Sequence, residues 1–337
     1  MLADEIAQQG KQKQYGVRLH NQNKEANILK LHSILVEKTY NTSAYTTFTI
    51  YEPKERIVYR LPYFPDRIVH HAVMNVLQPI FLQMFTSDTY SCIKGRGIHS
   101  AAIKLRSALQ DESGTQYCLK LDVKKFYPSV NHEVLKGLLR RKFKDNNLLL
   151  LLDNIIDSAD GLPIGNYLSQ YFSNFYLTGL DHWIKEQKQV KYYFRYADDM
   201  VILAGNKNYL HCLLKEIESY LKTHLKLQLK ENWQVFPVTS RGIDFVGYRF
   251  YHTHTLLRKT IKKNFARMLS KRKNTASVAS YYGWAKHSNS NNLLKKLLPD
   301  DELQRLRNKN RNKKLRGGKD KNRQDIKQGN NSGEIQD

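Results

Sequence analysis

The sequence predicts an α+β chain. The middle of the chain reads as a short apolar strand, two helical stretches, a long helix, an aromatic hairpin, one more helix and further strand-like runs, the order of a split β-α-β layer. β-branched and aromatic residues crowd the short runs, whereas apolar residues three and four apart mark the stretches between them. With 337 residues and 41% hydrophobic content, the chain can build real cores in one large or two to three small domains.

Residues 1–44 are polar, and Ile28, Leu31 and Leu35 with Ile34 and Val36 give one broad helical face, a helical lead-in. Two strands, Thr46–Tyr51 and Ile57–Tyr59, flank Glu52-Pro53-Lys54-Glu55. After Pro65, the spacing of Ile68, Val69, Ala72, Val73, Val76 and Leu77 is helical, with Asp66 as N-cap candidate. Gly95-Arg96-Gly97 breaks the chain before a helix over 98–109. The layer itself begins with a strand over 117–123 and helices over 131–143 and 147–158. The loop Gly161–Gly165 precedes a helix over 168–185, and strands over 191–196 and 200–204 flank Ala197-Asp198-Asp199. A helix over 210–221 and strand-like runs over 233–238 and 243–251 complete it. Arg258–Lys273 and Ser277–Leu298 read as basic helices, and no internal repeat is visible.

Charge narrows the partner. Lys and Arg number 55 against 31 Asp and Glu, a formal charge of +24. Residues 303–337 hold eleven basic and four acidic residues among Asn, Gln and Gly, which predicts a flexible basic tail. The preceding residues still carry +17, and a folded body that basic suits a polyanion, nucleic acid above all. Cys92, Cys118 and Cys212 are far apart, with no C-x-x-C, which argues against disulfide and structural zinc frameworks, and buried free thiols are expected. No run approaches the roughly 20 apolar residues of a membrane span, and Met1-Leu2-Ala3-Asp4-Glu5 lacks a signal-peptide core, so the expectation is a cytoplasmic protein without membrane contact.

The chemistry is expected at carboxylates. In Phe194-Arg195-Tyr196-Ala197-Asp198-Asp199-Met200, two acids interrupt two strands and fall at a hairpin tip. Asp-Asp alone is an ordinary turn dipeptide. Asp122, however, closes the apolar strand 117–123, and if that strand lies beside the hairpin the three carboxylates meet at one sheet edge. Such a cluster needs a cation and suits Mg²⁺, which binds through one or two carboxylates plus substrate phosphate. Two such ions would activate a primer hydroxyl and stabilise leaving pyrophosphate, which with the basic body points to a polymerase.

Here a resemblance enters. Asp122 with Tyr196-Ala197-Asp198-Asp199 resembles motifs A and C of reverse transcriptases, whose signature is Y-x-D-D. Gly161-Leu162-Pro163-Ile164-Gly165-Asn166-Tyr167-Leu168-Ser169-Gln170 resembles motif B, Phe245-Val246-Gly247-Tyr248 the primer grip, and Ser91-Cys92-Ile93-Lys94-Gly95-Arg96-Gly97-Ile98-His99 the second motif. The resemblance covers 45–298 and implies a right-hand polymerase: fingers over 45–113, a split β-α-β palm over 114–257 with the motif B segment 161–185, and a helical thumb over 258–302. It implies Asp122, Asp198 and Asp199 as catalytic residues, holding two Mg²⁺ with the Val123 carbonyl, Asp199 in a supporting place. Tyr127 would lie beneath the sugar and select deoxynucleotides, and Arg56, Arg60 or Arg67 would meet the triphosphate, with Arg56 and Arg67 the leading candidates. Gly165 would allow close backbone approach to substrate. Trp233 stands where the family's fourth motif often has a Lys, leaving Lys230 a doubtful substitute. His70 and His71 read as packing residues, and Lys262, Lys263, Arg267, Lys271, Arg272 and Lys273 as backbone contacts.

Ile164 replaces the Gln of most bacterial members, and Ser169-Gln170 replaces Ser-Pro. With Ser280-Tyr281-Tyr282-Gly283-Trp284-Ala285-Lys286-His287, these departures resemble the enzymes of diversity-generating retroelements. That likeness implies error-prone cDNA synthesis, mutagenic at adenine, from a template-repeat RNA, with dNTPs, an RNA/cDNA hybrid and a small basic accessory protein as partners. A retron-like or phage-defence reverse transcriptase is the alternative, although Val238-Thr239-Ser240 departs from the Val-Thr-Gly of retrons; a non-catalytic RNA-binding scaffold ranks last.

Overall fold

The structure, a computed structural model, describes residues 1–51, 55–271 and 274–308; the loop residues Glu52, Pro53 and Lys54, the thumb cations Arg272 and Lys273, and the tail from Lys309 lie outside them. The chain divides into a unit of Met1–Arg241 and a second from Gly242 onward.

In the first unit, helices α1 (Leu2–Gln8), α2 (Tyr15–Gln22) and α3 (Lys24–Val36) form the lead-in. The fully buried Asp4 fastens it. It accepts from Tyr63 Oη at 2.5 Å and lies 3.2 Å from both His20 Nε2 and Lys24 Nζ. Burial alone would raise this carboxyl, but hydrogen bonds from Tyr63, Gln8 and Lys24 outweigh it and hold it below its usual range. Strands β1 (Thr46–Ile50) and β2 (Arg56–Arg60) pair in a largely exposed antiparallel hairpin. The long apolar helix α4 (Ile68–Met84) follows, then α5 (Ile98–Ala108). Asp66 does not cap α4; it is buried and accepts from Tyr40 Oη at 2.7 Å and Ser43 N–H at 3.0 Å, tying the lead-in to the helix instead.

The central sheet comes next. Strand β3 (Tyr117–Asp122) leads into α6 (Phe126–Ser129), α7 (His132–Lys142) and α8 (Asn146–Ile156). Asn131 and Asp145 cap α7 and α8 by accepting from Val134 N–H and Leu148 N–H. Helix α9 (Tyr167–His182) precedes the hairpin of β4 (Tyr192–Tyr196) and β5 (Asp199–Ala204), followed by α10 (Lys207–Leu225), β6 (Gln234–Pro237) and α11 (Val238–Arg241). The four strands run antiparallel in the order β4-β5-β3-β6, with α10 packed on β3, β5 and β6. Helix α9 is buried around most of its circumference, as a helix inside a core must be. It packs on α4 about Phe81, whose ring meets those of Phe143, Tyr171, Phe172 and Phe175 at 5.1–6.4 Å.

The second unit holds strands β7 (Ile243–Phe245), β8 (Tyr248–Phe250) and β9 (Thr255–Leu257), then helices α12 (Lys259–Lys271), α13 (Thr275–Ala285) and α14 (Asn291–Leu297). Several expectations change here. The run 243–251 is two strands, because Val246 and Gly247 both take positive φ and reverse the chain. The sheet β7–β9 belongs with the C-terminal helices rather than with 114–241. The helix expected over 277–298 is broken at Lys286–Ser290, where Asn289 Oδ1 accepts from Thr255 N–H at 2.8 Å. Residues 300–308 are helical with Leu303 and Leu306 buried, so helical order continues past 302. Cys118 is buried, but Cys92 and Cys212 are exposed. Among the described residues, no helix is long and apolar enough to cross a membrane.

Candidate active site

The β4–β5 hairpin pairs Tyr196 with Asp199 and leaves Ala197, at φ +56, and Asp198 at its tip. On the other side of β5, Asp199 lies directly opposite Asp122, the last residue of β3. Directly paired residues of antiparallel strands are close neighbours, so strand register alone brings the acids to one sheet edge. The segment 227–230 then crosses the end of β3: Lys230 N–H donates to the Asp122 carbonyl at 2.9 Å and Lys124 N–H to that of Gln228 at 2.8 Å. The Val123–Leu229 bridge is closed by these two bonds, so the Val123 carbonyl takes no part in it.

Two carboxylates meet here, not three. Asp122 Oδ2 is 2.6 Å from Lys230 Nζ, whereas its Oδ1 is buried and accepts no hydrogen bond. Burial, then the neighbouring Asp122 carboxyl, pushes Asp198 up to about 6. Asp199 is engaged by Lys120, one diagonal step away on β3. Among the described residues, no three His, Cys, Asp or Glu side chains gather as a metal cage. The pair Asp122–Asp198 nevertheless fits a divalent cation whose remaining ligands are water and substrate phosphate, since it offers an orphaned buried oxygen beside a carboxyl that burial disfavours as an anion.

The sign of the Asp198 shift gives a test. A carboxyl whose folded value is raised stabilises the fold at low pH and loses that contribution as pH climbs through the folded value. Without divalent ions, melting temperature should therefore fall between about pH 4 and pH 6, and Asp198→Asn should flatten that fall. Calorimetry of both proteins in chelator measures it.

A buried ion pair sits behind the turn. Arg195 and Asp181 are both fully buried; Arg195 Nε donates to Asp181 Oδ1 at 2.7 Å and the other guanidinium arm reaches Oδ2. Tyr193 Oη also donates to Asp181, at 2.7 Å. Arg195 Nη1 donates to the Ala197 carbonyl at 3.0 Å and to Asn174 Oδ1 at 3.1 Å, so the pair positions the acidic tip from below. Arg195 was legible only as a motif letter; a charged residue inside a strand of buried aromatics is the signal that it needs a buried anion.

The remaining predicted residues separate into groups. Tyr127 packs beside the centre, sharing a hydrogen bond with Ser173 Oγ at 3.3 Å; burial raises its phenol, the charge of Asp198 adds to this and Arg56 opposes it. Arg56 is thus within electrostatic reach of the centre. Arg67 is not grouped with it: it lines, with Arg60, a cleft under the β1–β2 hairpin that none of the three acids lines. Ile164 is half-buried, and its carbonyl accepts from Tyr59 N–H at 2.7 Å. The preceding loop is pinned by Leu162 N–H to the Tyr127 carbonyl at 2.8 Å and by His132, which joins the Gly161 carbonyl to Asp157. Gly165, at φ +118, is exposed, and the space that a Cβ would take is filled by the chain's own Tyr59 carbonyl. Gly165→Ala combines a strained φ with overlap on backbone and should cost about 1–3 kcal/mol in stability, read by denaturant titration. In the second unit, Phe245, Gly247 and Tyr248 are buried, leaving the half-buried Val246 as the residue of that motif that can meet a ligand. His70 and His71 are buried, as expected.

Comparison with known proteins gives this geometry a lineage. Residues 52–250 match the family described as reverse transcriptase (RNA-dependent DNA polymerase). The protein YkfC of Escherichia coli is 24% identical over 66% of this chain and 69% of its own. The retron Ec73 reverse transcriptase of Escherichia coli is 26% identical, covering 66% and 71% respectively. The group II intron-encoded protein LtrA of Lactococcus lactis is 20% identical, and the chain spans 43% of its length. Among solved structures, telomerase from Candida albicans superposes with a TM-score of 0.50 at 12% identity, over 68% of this chain and 51% of that one, a likeness of fold. The class is that of template-directed nucleic-acid polymerases. Within it, the chain belongs to the reverse transcriptase family, the match spanning more than half its residues.

Proposed function

We propose that the protein is an RNA-directed DNA polymerase whose centre is the Asp122–Asp198 pair. The observation that carries this reading is the orphaned Asp122 oxygen beside a carboxyl that burial resists charging, at the tip of a Tyr-Ala-Asp-Asp hairpin. Divalent ions, two Mg²⁺ in this reading, would be held by Asp122 and Asp198 with the Val123 carbonyl and Asp199 in support, and would supply activation of a primer hydroxyl and neutralisation of leaving pyrophosphate. The side chains do the rest. Lys230 and Lys120 balance the acids, Arg56 meets triphosphate oxygens, and Tyr127 bars a 2′-hydroxyl by its bulk. Val246, at the β7–β8 turn, steadies the primer terminus. Lys262, Lys263, Arg267 and Lys271 of α12 contact the duplex backbone without reading its sequence. Primer extension on an RNA template with Mg²⁺ and dNTPs tests the activity; absence of any extension refutes it.

The finer reading is error-prone cDNA synthesis for a diversity-generating retroelement, with an accessory protein and a template-repeat RNA as partners. It rests on Ile164: an isoleucine beside the nascent pair offers shape but no hydrogen bond to check it. Ile164→Gln should lower misincorporation opposite template adenine severalfold, and sequencing of the cDNA reads this directly; an unaltered error spectrum refutes it. The retron Ec73 relative favours a second reading, a retron-like enzyme, which predicts an ordinary spectrum in the wild type.

A further inference from the structure

His132, the first residue of α7, sits between two acceptors. Its Nε2 lies 2.9 Å from the Gly161 carbonyl oxygen and its Nδ1 3.1 Å from Oδ1 of Asp157, which follows the last residue of α8. A carbonyl oxygen only accepts, so Nε2 carries hydrogen. A carboxylate only accepts as well, and Asp157 is kept in that form: burial would raise its carboxyl, but the hydrogen bond and charge of Lys136, with those of His132, outweigh this and hold it below the ordinary range. Both ring nitrogens therefore donate while the bridge is closed, which only the imidazolium can do. Nearby on the two helices, Glu133 lies 3.6 Å from Lys136, and Asp153 pairs with Arg140; the exposed Asp160 precedes Gly161 in the chain. Helix α9 meets this turn with Tyr176, whose hydroxyl accepts from Asn131 N–H at 3.3 Å.

The carbonyl that the ring holds belongs to backbone lying on Tyr127. Gly161 is buried at φ +60, and a Cβ there would come within 2.5 Å of the Tyr127 carbonyl oxygen and 2.6 Å of that of Pro128. Leu162 N–H donates to the same Tyr127 carbonyl at 2.8 Å. Backbone thus rests directly on backbone behind the residue assigned above to sugar selection, with no side chain between them to absorb a shift. We propose that His132 is a positioning residue for sugar selection: its doubly protonated ring draws the Gly161–Leu162 backbone onto Tyr127 and fixes how far that phenol stands into the nucleotide site. Loss of the Nδ1 proton sets a lone pair against the Asp157 carboxylate, so the bridge loosens as pH rises through the titration of the ring. The inference rests on the reading of Tyr127 as the residue that bars a 2′-hydroxyl.

The readout is the ratio of ribonucleotide to deoxynucleotide incorporated by the full chain when both are supplied in primer extension on RNA, measured over a pH series. A ratio cancels titrations that affect both substrates alike, that of Asp198 among them. In wild type the ratio should rise with pH by about fivefold. The rise should coincide with loss of the His132 ring proton, followed by nitrogen NMR of histidine-labelled protein and assigned through His132→Lys. That variant donates to both acceptors throughout the series and should keep the ratio low and flat, whereas His132→Leu should keep it high and flat. Asp157→Asn, at an exposed position, can offer an amide N–H to a neutral ring, so it should select as wild type does at low pH and lose the pH dependence. It serves as the test should His132→Leu fail to fold. A wild-type ratio that ignores the titration of the ring overturns the inference, as does pH dependence retained in Asp157→Asn. Tyr127→Ala separates the two claims: if it does not raise the ratio, the reading of Tyr127 falls and takes the inference with it, and if it does while His132→Leu selects like wild type at low pH, the role of His132 alone is refuted.

Discussion

Asp198→Asn is expected to abolish primer extension on RNA, by about three orders of magnitude or more, while the protein stays folded. The amide keeps the shape of the hairpin tip but can no longer share a negative site with Asp122. In the absence of divalent ions the variant should be at least as stable as wild type near neutral pH, because the charge that burial opposes is gone. Asp122→Asn should lose comparable activity and also its ion pair with Lys230. Asp199→Asn should lose less, since that carboxylate is already taken up by Lys120. Steady-state extension rates on one primer–template, with circular dichroism melts, check all three. A near-wild-type rate for Asp198→Asn contradicts the assignment.

The second large effect lies behind the turn. Asp181→Ala leaves the Arg195 guanidinium buried and uncompensated, for which the expected cost is about 3–5 kcal/mol of folding stability. The same change frees the arm that holds the Ala197 carbonyl, so activity should fall even at temperatures where the variant remains folded. Replacing both partners by apolar residues, Asp181→Leu with Arg195→Met, should recover most of the stability, because breaking a buried pair costs more than lacking one. Activity should stay low, since nothing then braces the tip. Urea titrations give the stabilities, and a cost under about 1 kcal/mol for Asp181→Ala would show that the pair bears little of the fold.

What was legible in the sequence follows from range. The β3 strand, the β4–β5 hairpin and the helices between them declare themselves by local period, and β3's neighbourhood with β5 could be guessed because an acid ends the one and begins the other. The split of the run 243–251 was hidden, because Val246 is β-branched and reads as strand while its actual φ is +42. Asp199 was expected to converge with the other acids, but Lys120, two residues before Asp122, is diagonal to it across the register and engages it. Gly165 announced a close approach without saying to what; the answer, Tyr59, is more than one hundred residues away. Arg195 and Asp181 are close in sequence, yet nothing local tells that helix α9 turns Asp181 inward beneath the hairpin.

The most direct test is a Mn²⁺ soak of crystals of the protein with primer, template and a non-hydrolysable deoxynucleotide, read by anomalous scattering. The account predicts density in contact with both Asp122 and Asp198, lost in Asp198→Asn. Anomalous density elsewhere, with both carboxylates metal-free in an enzyme that extends primers, would contradict it.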